Sequence, residues 1–224
     1  MSSISVNGRS ISQTRKIKST RLSLSGVYSF RGIGVPFEST LERDFVQSWD
    51  ISPVVKAIVA QPVQIPFTAS NGRDYVCVPD YLVQFEAHAG IKPMLVEVKP
   101  REDWLKSWRG WLPKWRTIWR YAREHDWSFH IYDESRIRGV RLMNAQFLQR
   151  FRHLEFEQAP CDAVIHTVEL MGQAPFQYLV ARHFTGDEDV GRSLVWHLMA
   201  TRKIAFDLND PIDEFTILRS CYEH

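Results

Sequence analysis

The sequence predicts an α/β fold, a mixed sheet flanked by helices with a smaller helical domain behind it. Three observations carry this. Residues 75–85 and 94–99 are apolar runs that read as facing strands. Residues 39–49 and the tryptophan-rich stretch 104–127 show helical spacing. Beyond residue 159, three helical runs at 162–171, 176–183 and 190–202 precede two short strands at 204–208 and 214–218.

The two facing strands carry the chemistry. Val78, Pro79 and Asp80 lie on the first, and Val96, Glu97, Val98 and Lys99 on the second. Side chains alternate along a strand, so Glu97 and Lys99 point to one face while Val96 and Val98 point to the other. In an antiparallel hairpin the indices of opposed residues sum to a constant. A turn centred on His88 and Ala89, with Gly90 beside it, therefore sets Asp80 opposite Glu97. Two carboxylates suit a hard divalent cation, and a lysine beside them suits an attacking water. Metal-assisted phosphodiester hydrolysis requires both. Charged residues on strands are usually a solvated face. Here, however, Glu97 interrupts the apolar run Met94-Leu95-Val96-Glu97-Val98, where an unpartnered carboxylate would be costly to bury. A metal would offset that cost.

A chain of 224 residues suits one large domain or a medium and a small one. Hydrophobic residues at 44% and charged residues at 24% allow a packed core. The net charge of +2 is nearly neutral, so contact with nucleic acid must come from local basic clusters. Cys77, Cys161 and Cys221 lie far apart, which suggests neither a disulfide framework nor a zinc site and fits a reducing cytosol. No apolar run approaches the roughly 20 residues of a membrane span.

Residues 1–30 carry Arg9, Arg15, Lys16, Lys18 and Arg21 among serines. This composition predicts a mobile basic arm, with Arg15, Lys16 and Lys18 as candidate DNA contacts. Ser39 with Glu42 three residues on forms a capping box ahead of Leu41, Phe45, Val46 and Trp49, so on the pattern alone Glu42 reads as a cap ahead of a metal ligand. Strands are expected at 54–60 and 63–67, then a turn at Asn71-Gly72.

Trp104, Trp108, Trp111, Trp115 and Trp119 step by three or four. Pro113 is expected to break this run, leaving a short piece to Leu112 and a helix from Pro113 to about His125. Trp115 and Trp119 are expected in the core. Trp104, Trp108 and Trp111 alternate with Lys106 and Arg109 and are candidates for a lid against a DNA backbone. A strand at 128–132 and a helix near 144–156 are expected to complete a unit of residues 31–158. Glu157-Gln158-Ala159-Pro160 marks the boundary to a second unit, 159–224, of winged-helix arrangement. Its last helix holds Arg192, His197, Arg202 and Lys203, which would suit DNA, but also Leu194, Val195, Trp196, Leu198 and Met199, apolar groups that suit a protein partner as readily.

The helix acid, the Pro-Asp strand, the Glu-x-Lys strand and the tryptophan helix, in this order, resemble the TnsA family of transposon-end endonucleases. Phe37-Glu38-Ser39-Thr40-Leu41-Glu42-Arg43-Asp44-Phe45 is similar to that family's opening helix, with Gln61-Pro62 and the two strand motifs following. The resemblance spans residues 10 to about 220. It implies a restriction-endonuclease-like core of the PD-(D/E)xK type followed by a C-terminal winged-helix-like domain. It also implies that Glu42, Asp80 and Lys99 are catalytic, with Glu97 at the neighbouring metal-ligand position where some members carry glutamine. The implied partners are DNA at the transposon ends, a TnsB-like recombinase and a TnsC-like ATPase regulator faced by the C-terminal domain.

The expected activity is cleavage of one strand at the 5′ ends of a transposon. Asp80, Glu97 and the carbonyl of Val98 would hold Mg²⁺, with Mn²⁺ as a substitute, and a second ion would be shared with Glu42. Two rivals share the motifs: a stand-alone restriction or junction-resolving nuclease, and a non-catalytic adaptor built on the same fold.

Overall fold

Proline and glycine punctuate the apolar runs and so decide where strands stop. The computed structural model describes residues 3–6, 8–14, 24–69 and 71–221, which form two compact units. The first comprises Met1–Val46 and Val54–Ile137, and the second Gln47–Pro53 and Arg138–His224.

The first unit opens with β1 (Ser3–Val6) and β2 (Arg9–Ser12), an antiparallel hairpin, followed by β3 (Gly26–Phe30) paired with β4 (Ile33–Phe37). Helix α1 (Thr40–Trp49) comes next, then β5 (Val55–Ala60), and β6 (Ile65–Thr68) paired with β7 (Asp74–Cys77). After these come β8 (Tyr81–Phe85), β9 (Met94–Val98), α2 (Arg101–Glu124), β10 (Ser128–Tyr132) and α3 (Glu134–Ile137). The central sheet has the order β10-β9-β8-β5 and is mixed: β10 runs parallel to β9, and the other neighbours are antiparallel. Mixed sheet and flanking helices are consistent with a restriction-endonuclease-like domain.

Four expectations change here. The expected strand 75–85 is two strands, because Pro79 has no N–H to continue a ladder, and β7 and β8 pair with different partners. The predicted mobile arm contains an ordered hairpin whose Val6 and Ile11 are buried with Leu82, Leu95 and Ile118. Alternation over so few residues was masked by serines. Helix α2 runs unbroken through Pro113. A proline lacks the N–H that would reach the carbonyl of residue 109, but Arg109 is exposed, and Trp115, Ile118 and Ala122 anchor the helix by burial. Trp115 is buried as expected, at 9% exposure, but Trp119 is 50% exposed, on the outward face.

The second unit contains α4 (Val140–Gln149), α5 (Gln158–Met171), β11 (Gln173–Pro175), α6 (Phe176–His183), α7 (Glu188–Ala200), β12 (Ile204–Ala205) and β13 (Ile217–Ser220). Its sheet has the order β11-β13-β12. Ala145 and Leu148 of α4 are buried in this unit's core with Ile51, Val164, Leu179 and Leu198, although the sequence groups that helix with the first unit. The apolar groups of α7 are buried too: Leu194, Val195, Leu198 and Met199 form the core, and Trp196 packs against Phe147, Phe151 and Phe176. The surplus of apolar groups therefore builds the fold and does not leave an exposed patch on α7. Among the described residues, no helix is long and apolar enough to cross a membrane.

Candidate active site

Three β8–β9 pairs, Tyr81↔Val96, Leu82↔Leu95 and Val83↔Met94, hold the register expected from the turn. Gly90, in the left-handed conformation at φ 61°, closes the short helical turn Ala87–Ala89 between the strands. Extended by one residue, this register sets Asp80 level with Glu97. The Val98 backbone N–H donates to Asp80 Oδ2 at 2.7 Å, tying the aspartate to the facing strand. The Gln61 N–H donates to the Asp80 carbonyl at 2.8 Å from a left-handed backbone, φ 48°. Non-glycine residues adopt that conformation at a cost of order 1 kcal/mol or more, which the surrounding bonds must hold in place.

Glu97 is fully buried at the end of β9. Lys99 Nζ lies 3.3 Å from Glu97 Oε1, 3.5 Å from Asp80 Oδ2 and 3.0 Å from the Val98 carbonyl oxygen. Three oxygens thus converge on one cation, as the strand pattern requires. A second cation, Lys114 of α2, bonds the same Glu97 Oε1. The sequence reading missed Lys114. It follows Pro113 within a helix, and nothing local signals that it reaches a strand seventeen residues earlier. Glu97 Oε2 is buried with no hydrogen-bond partner.

Burial raises the Glu97 pKa, and Asp80 adds to this, while Lys99 and Lys114 oppose it. Burial works against the charge of Lys99, but Asp80 and Glu97 outweigh it, and the lysine pKa rises. Lys99 is therefore an ammonium donor in this arrangement and not a free base.

Glu42 does the work of a cap. Ser39 Oγ accepts from the Glu42 N–H at 3.1 Å, and Glu42 Oε2 accepts from the Glu38 N–H at 2.8 Å, a capping box whose return bond is shifted one residue before the cap. The same carboxylate senses the strand site. Burial and the Asp80 charge push its pKa up to about 7. Phe45, three residues on and so on the same helical face, stacks on Tyr81 at 5.4 Å and meets Tyr132 edge-on at 5.0 Å, docking α1 on the sheet.

The other candidates separate. Lys106 is exposed and bonds Glu102 one turn earlier, and Arg109 lies over Trp108 at 5.0 Å. Trp104 and Trp111 are partly buried against the core. The Trp104 indole donates to Asp133 Oδ2 at 3.3 Å, so of the three lid candidates only Trp108 is well exposed. Arg15, Lys16 and Lys18 lie outside the described residues.

Two carboxylates and a carbonyl are hard oxygen donors, and the orphaned Oε2 of Glu97 offers a lone pair that no protein group takes. Among the described residues, no group of three or more His, Cys, Asp or Glu side chains is arranged to hold a metal ion, so the Val98 carbonyl is needed to complete the set. The donor type and the orphaned Glu97 oxygen suit a divalent cation.

A Pro-Asp acid, a buried Glu-x-Lys pair and a helix-start glutamate thus lie together at the ends of the two inner strands of a mixed sheet. Residues 52–134 match the family described as TnsA-like endonuclease N terminal, which supports a TnsA-family endonuclease. The matched stretch includes Asp80, Glu97, Lys99 and Lys114 but not Glu42. A TnsA-like domain implies DNA binding and a Tn7-type transposition complex. No curated protein matches the chain.

Proposed function

We propose that the chain is the Mg²⁺-dependent DNA endonuclease subunit of a heteromeric transposase, cutting one strand at the 5′ ends of the transposon during cut-and-paste transposition. The observation that carries this is the convergence of Asp80, Glu97 and the Val98 carbonyl on a single cation, with one Glu97 oxygen left over. Asp80, Glu97 and the Val98 carbonyl would hold the ion, with Glu42 as the residue that shares a second one. When bound, Mg²⁺ supplies Lewis-acid stabilisation of the charge that develops on phosphate oxygens.

The chain's own residues do the rest. Lys99, held as an ammonium, donates to the attacking water or to a phosphate oxygen and so fixes its approach. The Val98 N–H keeps the Asp80 carboxylate aimed, and the Gln61 N–H holds the backbone of Asp80. Sequence choice is left to a TnsB-like recombinase, since no array of Arg, Asn or Gln side chains stands out as a base reader.

The C-terminal unit is read as a winged helix that recruits a TnsC-like ATPase. Its element order, helix, strand, helix, helix and then two strands, supports the first half of that reading. The second half is supported by charge. Arg192 of α7 is paired with Glu214 at 3.4 Å, and the β12–β13 connection carries Asp207, Asp210, Asp213 and Glu214, which suits a protein better than a phosphate backbone.

The test is cleavage of transposon-end DNA by the full assembly in Mg²⁺. Asp80→Asn is expected to abolish 5′-strand cleavage while 3′-strand cleavage and the far-UV spectrum persist. Normal 5′ cleavage by that variant would remove the proposed site. Free cutting of arbitrary DNA by the purified chain would favour the stand-alone nuclease instead.

A further inference from the structure

Helix α2 has two working faces. One turns Lys114 to Glu97, and the other, roughly half a turn round the helix, faces solvent. Along that outer face Arg109, Arg116, Arg120 and Arg123 recur at helical spacing, all exposed. Trp108, at 41% exposure, and Trp119, at 50%, flank them. Arg109 lies over Trp108 and Arg123 lies over the Trp119 ring at 5.1 Å. Among the described residues, none of the four arginines has an acid partner.

From this we infer a second DNA-backbone surface: the outer face of α2 binds phosphates of a DNA segment other than the one at the catalytic carboxylates. Aromatic groups with arginine also suit protein interfaces. The charge decides between them, because four guanidinium groups with no acid between residues 108 and 123, and Glu124 alone just beyond, would be costly to bury against an ordinary protein surface, whereas a polyanion neutralises them. The stripe also has the right length. From residue 108 to residue 123 a helix rises about 22 Å, which spans about six steps of one DNA strand at ~3.4 Å each. Planar arginines fork onto phosphate oxygens, and the two tryptophans hold Arg109 and Arg123 extended while offering faces to sugars or unpaired bases. Because the face points away from Lys114, its ligand cannot be the phosphate positioned by Lys99. The inference extends the nuclease reading without depending on its chemistry.

The test measures binding and not cleavage, so a failed catalytic assignment does not affect it. The full chain is titrated onto a fluorescent 30-base-pair duplex of arbitrary sequence, without divalent ions, across a series of KCl concentrations. At about 0.9 in slope per phosphate contact, the Arg116→Gln, Arg120→Gln, Arg123→Gln variant is expected to lower the slope of log K against log salt by about 2 to 3. The same three positions changed to Lys are expected to restore most of it. A control with Arg150→Gln, Arg182→Gln and Arg219→Gln removes equal charge elsewhere and is expected to change the slope by less than 1. Equal losses in the two glutamine variants would overturn the inference. So would an unchanged slope accompanied by loss of self-association in sedimentation, which would make the face a protein contact.

Discussion

Lys114 and Lys99 take the same oxygen of Glu97, one from a helix and one from the position just after the strand that carries the glutamate. The buried carboxylate is thus neutralised twice on one side and left bare on the other. That asymmetry sets what each substitution does.

Lys114→Met removes one of the two cations. Stripping a buried charge of its partner costs roughly 3–5 kcal/mol, and because Lys99 remains, a loss of about 2 kcal/mol is expected. Mg²⁺ would then fill part of the deficit. Thermal melting is expected to show a larger Mg²⁺-induced rise in the variant than in the parent, and equal rises would show that Lys114 and the ion do not share Glu97.

Glu42 gives a pH signature with an unusual sign. Its folded pKa, about 7, stands above the unfolded value near 4.5, so between those values the folded state binds more protons. Metal-free stability is therefore expected to rise as pH falls from 8 to 5, by up to about 3 kcal/mol from this residue. Glu42→Gln should flatten the rise, and urea unfolding at several pH values reads it directly. Glu42→Ala instead loses the cap as well, about 0.5–2 kcal/mol. A Gln variant with the parent's pH slope would remove Glu42 from the field of Asp80.

Two tryptophans four residues apart should part company. Trp115→Ala opens the core and is expected to cost about 3–5 kcal/mol. Trp119→Ala, on the solvent face, should stay within about 0.5 kcal/mol. Chemical denaturation of the two variants checks this, and similar losses would mean that α2 buries a different face.

Truncation after residue 158 is a sterner test of independence than the polar boundary suggests. It strips Ile51, Ala145 and Leu148 of the core they share with Val164, Leu179 and Leu198. Such a fragment is expected to be less soluble than one that also carries polar substitutions at these three positions. Equal solubility and melting of the two fragments would show that the three residues need no cover.

The parts of the fold visible in the sequence were those fixed by local chemistry. The β8–β9 register followed from alternation and one turn, and the start of α1 from Ser39 and Glu42. What escaped depended on distant partners. Lys114 gives no local sign that it reaches Glu97, and α2 passes through Pro113 because Trp115 and Ile118 hold it from beyond the proline. Val6 and Ile11 gave too few apolar positions to outweigh the serines around them. On α7 the same apolar groups that suggested a partner turned out to face inward, since periodicity alone does not say what lies opposite a helix.

The pairing of Tyr81 with Val96 has a final consequence. Because side chains alternate strictly, a slip of one residue between these strands would turn Glu97 toward the opposite face and leave Asp80 facing a valine. Cleavage competence is thus a direct readout of strand alignment: a chain that mispairs this hairpin loses its chemistry at once, however well the rest of it packs.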